Sequence, residues 1–248
     1  MKTYAYILSV LVAVMVSPLA FADGADSSAH QGALFNGDTT KAYDAIHSGG
    51  PRLISVGVGV QQQQRGMEYE NGFKASDLKA NHLAATLGLD VTKWLTLFGG
   101  VGEADVNLGG NNRSSNFEWL AGGQVRMLDY LVLEPWNSID QYWVGLDLNS
   151  FFRNTSVDSM NVKDTMSEFF TSLTMSFYST PKDPWAWDRL GLFIGPAVSM
   201  IDYGDQSENQ AFGIVGGLQL NPSPNIGLRF EVQKFDKMGM GLSATFHF

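Results

Sequence analysis

Residues 81–101 read NHLAATLGLDVTKWLTLFGGV. Leu83, Ala85, Leu87 and Leu89 alternate with His82, Ala84, Thr86 and Gly88. A period of two marks an extended strand with two unlike faces. Asp90–Trp94 supplies a tight polar turn, and alternation resumes in Leu95–Val101. The stretch predicts two antiparallel strands joined by a short connection.

The same rhythm runs from Arg52 to the last residue. Nine further segments keep it, counting the second half of that hairpin: LISVGVGV, LTLFGGV, FEWLAGGQVRM, YWVGLDLNS, FFTSLTMSFY, LGLFIGPAVSM, AFGIVGGLQL, IGLRFEVQ and MGLSATFHF. The reading is an all-β chain of ten strands, each long enough to cross a bilayer at a tilt. Connections alternate in character. DVTKW and NPSPN are tight, whereas QQQRGMEYENGFKASD, EADVNLGGNNRSS and RNTSVDSMNVKD are long and polar. LDYLVLEPWNSIDQ and STPKDPWAWD depart from this pattern and are read as extended turns on the short side. Short turns at one end and polar loops at the other describe an up-and-down transmembrane β-barrel.

The chain begins with Lys2, an apolar run to Val16, Ser17-Pro18 and the small-x-small triplet Ala20-Phe21-Ala22. That is the pattern of a cleaved export signal over residues 1–22, with the mature chain starting at Asp23. The apolar run is too short to span a membrane. There is no Cys, which excludes disulfides, thiolate metal sites and a lipoprotein anchor. Removal of Lys2 takes the formal charge from −9 to −10, unsuited to a nucleic-acid partner. Residues 23–51 form a polar lead-in, where DTTKAYDAIHSGG carries the signals of one short helix or equally of an unstructured segment. Residues 52–248 are the barrel.

Alternation alone does not say which face meets lipid. One face of each strand is Leu, Val, Ile and Phe. The other is Gly, Ser, Thr and Gln with scattered ions, a poor soluble surface but a fitting narrow lumen. Parity places Glu118, Arg126, Asp147, Arg229 and Glu231 inside as a single ionic network, because isolated buried charges are costly. Trp94, Trp136, Trp143, Trp185 and Trp187 cluster beside the short turns and read as an aromatic girdle at the headgroup level.

The export signal, the unit LDVTKWLTLFGGVG, FGIVGGLQL before a tight turn, and the terminal LSATFHF together resemble the small outer-membrane barrels, the superfamily of the OmpA and OmpX transmembrane domains. The resemblance covers residues 52–248. It implies a Gram-negative outer-membrane location, contact with outer-membrane lipid and lipopolysaccharide, and a last strand read by the barrel-assembly machinery. Met240, Leu242, Ala244, Phe246 and Phe248 match that signal's spacing. The family's smallest members have eight strands, which stands as the alternative to ten.

No catalytic residue, cofactor or metal set is assigned. His82 is brought near Gly102, Glu103 and Asp105 by the hairpin, a candidate general base at the rim. Outward parity of Glu103 argues against it and for a solvated histidine. The glycines of GGVG at 99–102 open no helix, so they do not form a phosphate loop and instead fit close strand packing. The sequence therefore predicts a non-catalytic structural or surface-interaction barrel with a plugged lumen and an unidentified extracellular ligand. A narrow pore is the alternative, and a rim enzyme acting on lipid or peptide the second. Barrels of about eight strands are filled by side chains, whereas aqueous channels need about sixteen.

Overall fold

The computed structural model describes residues 54–69, 72–92, 94–108, 114–133, 140–159, 162–181, 189–223 and 225–248. The export signal, the lead-in, Trp136, Trp185 and Trp187 lie outside them. No described residue is helical. The strands are β1 (Ile54–Arg65), β2 (Met67–Tyr69), β3 (Leu78–Asp90), β4 (Leu95–Leu108), β5 (Ser114–Leu133), β6 (Asp140–Ser159), β7 (Val162–Pro181), β8 (Arg189–Tyr203), β9 (Gln206–Glu208), β10 (Phe212–Ser223), β11 (Ile226–Lys234) and β12 (Met238–His247).

Ten of these close an antiparallel up-and-down barrel. β8 pairs with β10, and β12 returns to β1. The short β2 and β9 pair with each other, and β9 also continues onto β8, as a ribbon above one rim. Ten barrel strands, rather than eight, agrees with the sequence periodicity. The end carrying Val91–Trp94 and both described chain ends is called the inner end, and the opposite one the outer end.

The outer wall is apolar. Leu87 is 61% exposed, Leu192 59% and Leu242 55%. In water such a continuous belt would be an aggregation surface; in lipid it is the favoured one. Opposite these residues the strands turn Gly57, Thr86, Gly100, Ser172 and Thr174 inward. Closure leaves no barrel edge, so the backbone ladder is satisfied within the wall. Thr92 sets the β3–β4 turn by accepting from the Leu95 amide at 3.0 Å.

The strands are longer than the sequence predicts. Gln62–Arg65, Arg153–Ser159 and Val162–Asp164 are read as loop from their polarity, yet they belong to β1, β6 and β7. Leu128–Leu133, read as an extended turn, continues β5. The barrel wall extends past the lipid belt, and there the outward positions become polar: Gln62, Gln64, Lys79 and Asn81. Strand pairing persists although the hydrophobic alternation ends. A bulge at Met127 shifts the register between Arg126↔Asp147 and Leu128↔Leu146. It allows both Arg126 and Asp129, three residues apart, to point inward.

A closed wall predicts heat-modifiable mobility. In cold SDS the protein from native membranes should run ahead of the boiled chain; equal mobility in both lanes would contradict closure.

Candidate functional site: the lumen

β7 shows how the lumen is filled. Its inward residues, from the outer end, are Met166, Glu168, Phe170, Ser172 and Thr174, all buried. Each step of two residues enters a different layer. Met166 belongs to an apolar cluster with Met67, Leu78, Ala80, Ala104, Val106, Val157 and Ile201. Glu168 lies in an ionic layer. Phe170 belongs to a second apolar cluster with Phe193, Ala197, Val215 and Phe235. Ser172 and Thr174 lead toward an open polar cup at the inner end. β6 repeats the sequence of layers with Val157, Arg153, Phe151 and Asp147.

The ionic layer is built across strands. Glu118 of β5 meets His82 of β3, with Oε2 and Nδ1 2.5 Å apart. These two strands are not neighbours. β4 lies between them and turns only Gly100, Gly102 and Ala104 inward at this level, so nothing stands in the way. This is the role of Gly100 and Gly102 in GGVG. A Cβ on Gly102 would also strike the Leu83 carbonyl and Ala84. Thr155 donates to Glu118 at 3.2 Å. Arg153 donates to Glu168 at 3.2 Å and to Gln61 at 2.7 Å, and its Nε lies 3.7 Å from Glu118. Gln63 donates to Glu168 at 2.7 Å, and its oxygen lies 3.2 Å from His82 Nε2. His82, Glu118, Arg153 and Glu168 are at most 5% exposed.

Above this layer, Arg65 Nε lies 2.8 Å from Glu208 of the β2–β9 ribbon. Arg65 also donates to Gln233 at 3.1 Å and stacks over the Phe235 ring at 4.1 Å. The Asp236 carboxylate accepts from the Gly66 amide at 2.5 Å. Burial pushes the Glu208 carboxyl up to about 7, against the opposing pull of Arg65.

The five ions expected to form one network occupy three places. Glu118 is in the outer ionic layer. Arg126 and Asp147 pair at 3.0 Å nearer the inner end, joined by Asp129 at 3.6 Å; the Asp129 carboxylate accepts from the Tyr178 hydroxyl. Arg229 pairs with Glu231 at 2.8 Å on its own strand, and Gln233 donates to Glu231 at 2.9 Å. Glu118 does not approach Asp147, because eight residues of β6 separate Asp147 from Thr155, its registered neighbour. His82, expected as a solvated rim residue, is buried in the lumen. Its registered neighbour on β4 is Ala104, and Glu103 faces outward. Sequence reasoning missed Arg65, Arg153, Glu168 and Gln63. Outward Phe152 and Phe169 carried the signal, since parity then turns Arg153 and Glu168 inward.

Of the five tryptophans expected to form a girdle, Trp94 and Trp143 are among the described residues, and Trp143 departs from the expectation. Trp143 faces the lumen, 7% exposed, and stacks on Tyr178 with centroids 6.2 Å apart. Trp94 borders the inner mouth of the lumen. On the lipid side near the outer end it is Trp119, tilted against Phe152 at 5.5 Å, that presents an aromatic face. Met240, Leu242 and Phe246 form an outward column on β12, with Ala244 between them. Phe248 follows the strand's last residue and is 73% exposed.

No protein-family model and no curated protein matches the sequence. Several solved structures are similar to this chain. An outer-membrane channel from Pseudomonas putida F1 is 12% identical with a TM-score of 0.38, covering 80% of this chain and 96% of that one. The translocator domain of the autotransporter NalP from Neisseria meningitidis is 12% identical with a TM-score of 0.38, covering 85% and 93%. The attachment invasion locus protein Ail of Yersinia pestis, in complex with a heparin analogue, is 11% identical with a TM-score of 0.24, covering 79% and 98%. The strand pairing itself defines the fold as a closed ten-stranded antiparallel β-barrel.

Two outcomes follow from the lumen geometry. Arg153→Ala strands Glu118 and Glu168 and should cost roughly 3–5 kcal/mol, whereas Arg229→Ala, whose pair is about a quarter to a third exposed, should cost about 1 kcal/mol or less. Loss of the fast-migrating band on a temperature ramp reads both; equal shifts would contradict the layered arrangement. The second concerns pH. Glu208 holds a proton in the folded state that the unfolded chain releases near 4.5, so stability should fall as pH rises from about 4.5 through 7. The same ramp at stepped pH should show this slope in the wild type and a flatter one in Glu208→Gln.

Proposed function

We propose that this protein is a non-catalytic, non-conducting barrel of the Gram-negative outer membrane whose extended outer rim serves surface interactions. One observation carries the reading: apolar, ionic and aromatic layers stand one above another in the outer half of the lumen, on strands all round the wall. A solute would have to separate buried ion pairs and two packed clusters to pass. Breaking a buried pair costs several kcal/mol, a barrier that a water-filled pore does not present.

The strands that outrun the lipid belt support the surface role. They hold the β2–β9 ribbon clear of the headgroups, where outer-membrane barrels place their recognition loops. Contact with lipopolysaccharide follows from that position. Recognition of the β12 column by the assembly machinery, and export by residues 1–22, belong to the same proposal. The rim-enzyme alternative has little support from His82. At 4% exposure, it does not reach a substrate at the rim, and a general base must reach the proton it takes. The narrow pore keeps one supporting observation, the open cup at the inner end, which ends beneath the aromatic layer.

Planar-bilayer recording separates the readings. The refolded wild type should show no steady conductance, and Arg153→Ala, which loosens the ionic layer, should show at most brief leaks. Stable porin-like conductance in the wild type would defeat the plug and establish the pore.

A further inference from the structure

The inner half of the lumen is a cup of about 470 Å3 bordered by all ten barrel strands and by Trp94 of the β3–β4 turn. That volume falls in the range of small-ligand sites. Its lining is dominated by hydroxyl and amide side chains, with the rings of Trp94 and Phe98 on one side. Aromatic edges among hydrogen-bonding groups are the mixed surface that a polyhydroxylated ring requires, with C–H faces and O–H groups both met.

The charged groups are unevenly committed. Arg126 is held by Asp147 at 3.0 Å and Arg229 by Glu231 at 2.8 Å. Asp90 accepts from Thr96 at 2.5 Å. Arg189 differs from these. Its guanidinium stacks on the Tyr178 ring at 4.2 Å. Its Nε is buried without a hydrogen-bond partner, and among the described residues no carboxylate lies within ion-pair distance. Register places Arg189 opposite Asn221, and Gln219 opposite Arg229. Gln219 donates to Asn221 at 3.3 Å. The result is a strip of guanidinium, two amides and guanidinium across β8, β10 and β11. His247 Nδ1, also bordering the cup, is buried and unpartnered in the same way. Unsatisfied buried polar atoms are uncommon in folded proteins and call for an explanation.

We propose that the cup is a binding site for a small polyhydroxylated anion with the chemistry of a sugar acid. Its carboxylate sits on Arg189 beside Asn221, where a planar guanidinium fork matches two oxygens. Its hydroxyls are met by the surrounding Ser, Thr and amide side chains. Its ring lies toward Trp94 and Phe98. Entry is from the periplasmic side; this one-sidedness, though not the binding itself, rests on the plugged-lumen reading.

The test uses the full barrel refolded in detergent, titrated with glucuronate, glucose or inorganic phosphate. Calorimetry is followed together with tryptophan fluorescence, since Trp94 borders the cup. Saturable glucuronate binding is expected, at least tenfold tighter than for either glucose or phosphate. Arg189→Gln should weaken glucuronate at least tenfold and leave glucose unchanged, and Arg189→Lys should restore part of the loss. Should Arg189→Gln lose its heat-modifiable band, Asn221→Ala takes its place, with weaker glucuronate binding expected. Equal affinity for glucose and glucuronate would overturn the anion anchor. Equal affinity for phosphate would overturn the polyhydroxylated class. No response to glucuronate, or an unaltered affinity in the folded variants, would overturn the site. Steady conductance with glucuronate binding intact would defeat the plug alone, and closed bilayers without binding would defeat this proposal alone.

Discussion

Val56 opposite Phe246, Val58 opposite Ala244 and Val60 opposite Leu242 seal β1 to β12, and the rest of the molecule depends on that seam. In hydrocarbon an unpaired amide or carbonyl has no water to turn to, so a ten-stranded sheet with two free edges would be untenable there. Closure fixes the circumference. A fixed circumference of this size forces inward side chains from facing walls to meet. Gln63 and Glu168, 105 residues apart in sequence, hydrogen-bond because the wall brings them face to face across the lumen. The buried ionic layer is in this sense a consequence of closure.

Much of the fold was legible because the period of two is a property of the chain itself. Leu83 through Leu89 announce a strand, and DVTKW announces its end, without reference to any partner. The ten strands were readable for that reason, as was the inward parity of Glu118, Arg126, Asp147, Arg229 and Glu231. Strand ends were less legible. Gln61–Arg65 has no apolar face to lipid, so periodicity is silent there while the hydrogen-bond ladder to β3 continues as far as Arg65↔Leu78.

Partners across the lumen were not legible. Parity says that a side chain points inward but not at what height it meets another. His82 and Glu118 meet only because β4 contributes small residues between them, a condition held on a third strand. Trp143 illustrates the same limit. Its position near a turn suggested a headgroup anchor, but its odd number on β6 puts it on the face shared with Asp147, where it stacks on Tyr178. Arg126 shows a further case. Its link to Asp129 depends on the bulge at Met127, and such an irregularity leaves no mark in a pattern of alternation.

β3 contains in one strand the reason for the plug. Toward its inner end, Leu83, Ala85, Leu87 and Leu89 face lipid while Thr86 and Gly88 face the lumen. Beyond His82 the chemistry exchanges faces although the parity does not. Lys79 and Asn81 now face outward, and Leu78 and Ala80 face inward with no exposed surface at all. The outer part of the barrel is therefore organised as a soluble protein, with a polar outside and an apolar centre, and the inner part as a membrane protein. Burial of Leu78, Met67, Met166 and Ile201 there is worth roughly 1.5–3 kcal/mol per side chain, as in any water-soluble core. A lumen that stayed polar throughout would have no such centre to build around. The ionic layer of His82, Glu118, Arg153 and Glu168 sits at the height where the two organisations meet. Polar groups at this level can be neither exposed to lipid nor packed into the apolar cluster, and pairing with one another across the lumen is the arrangement left to them.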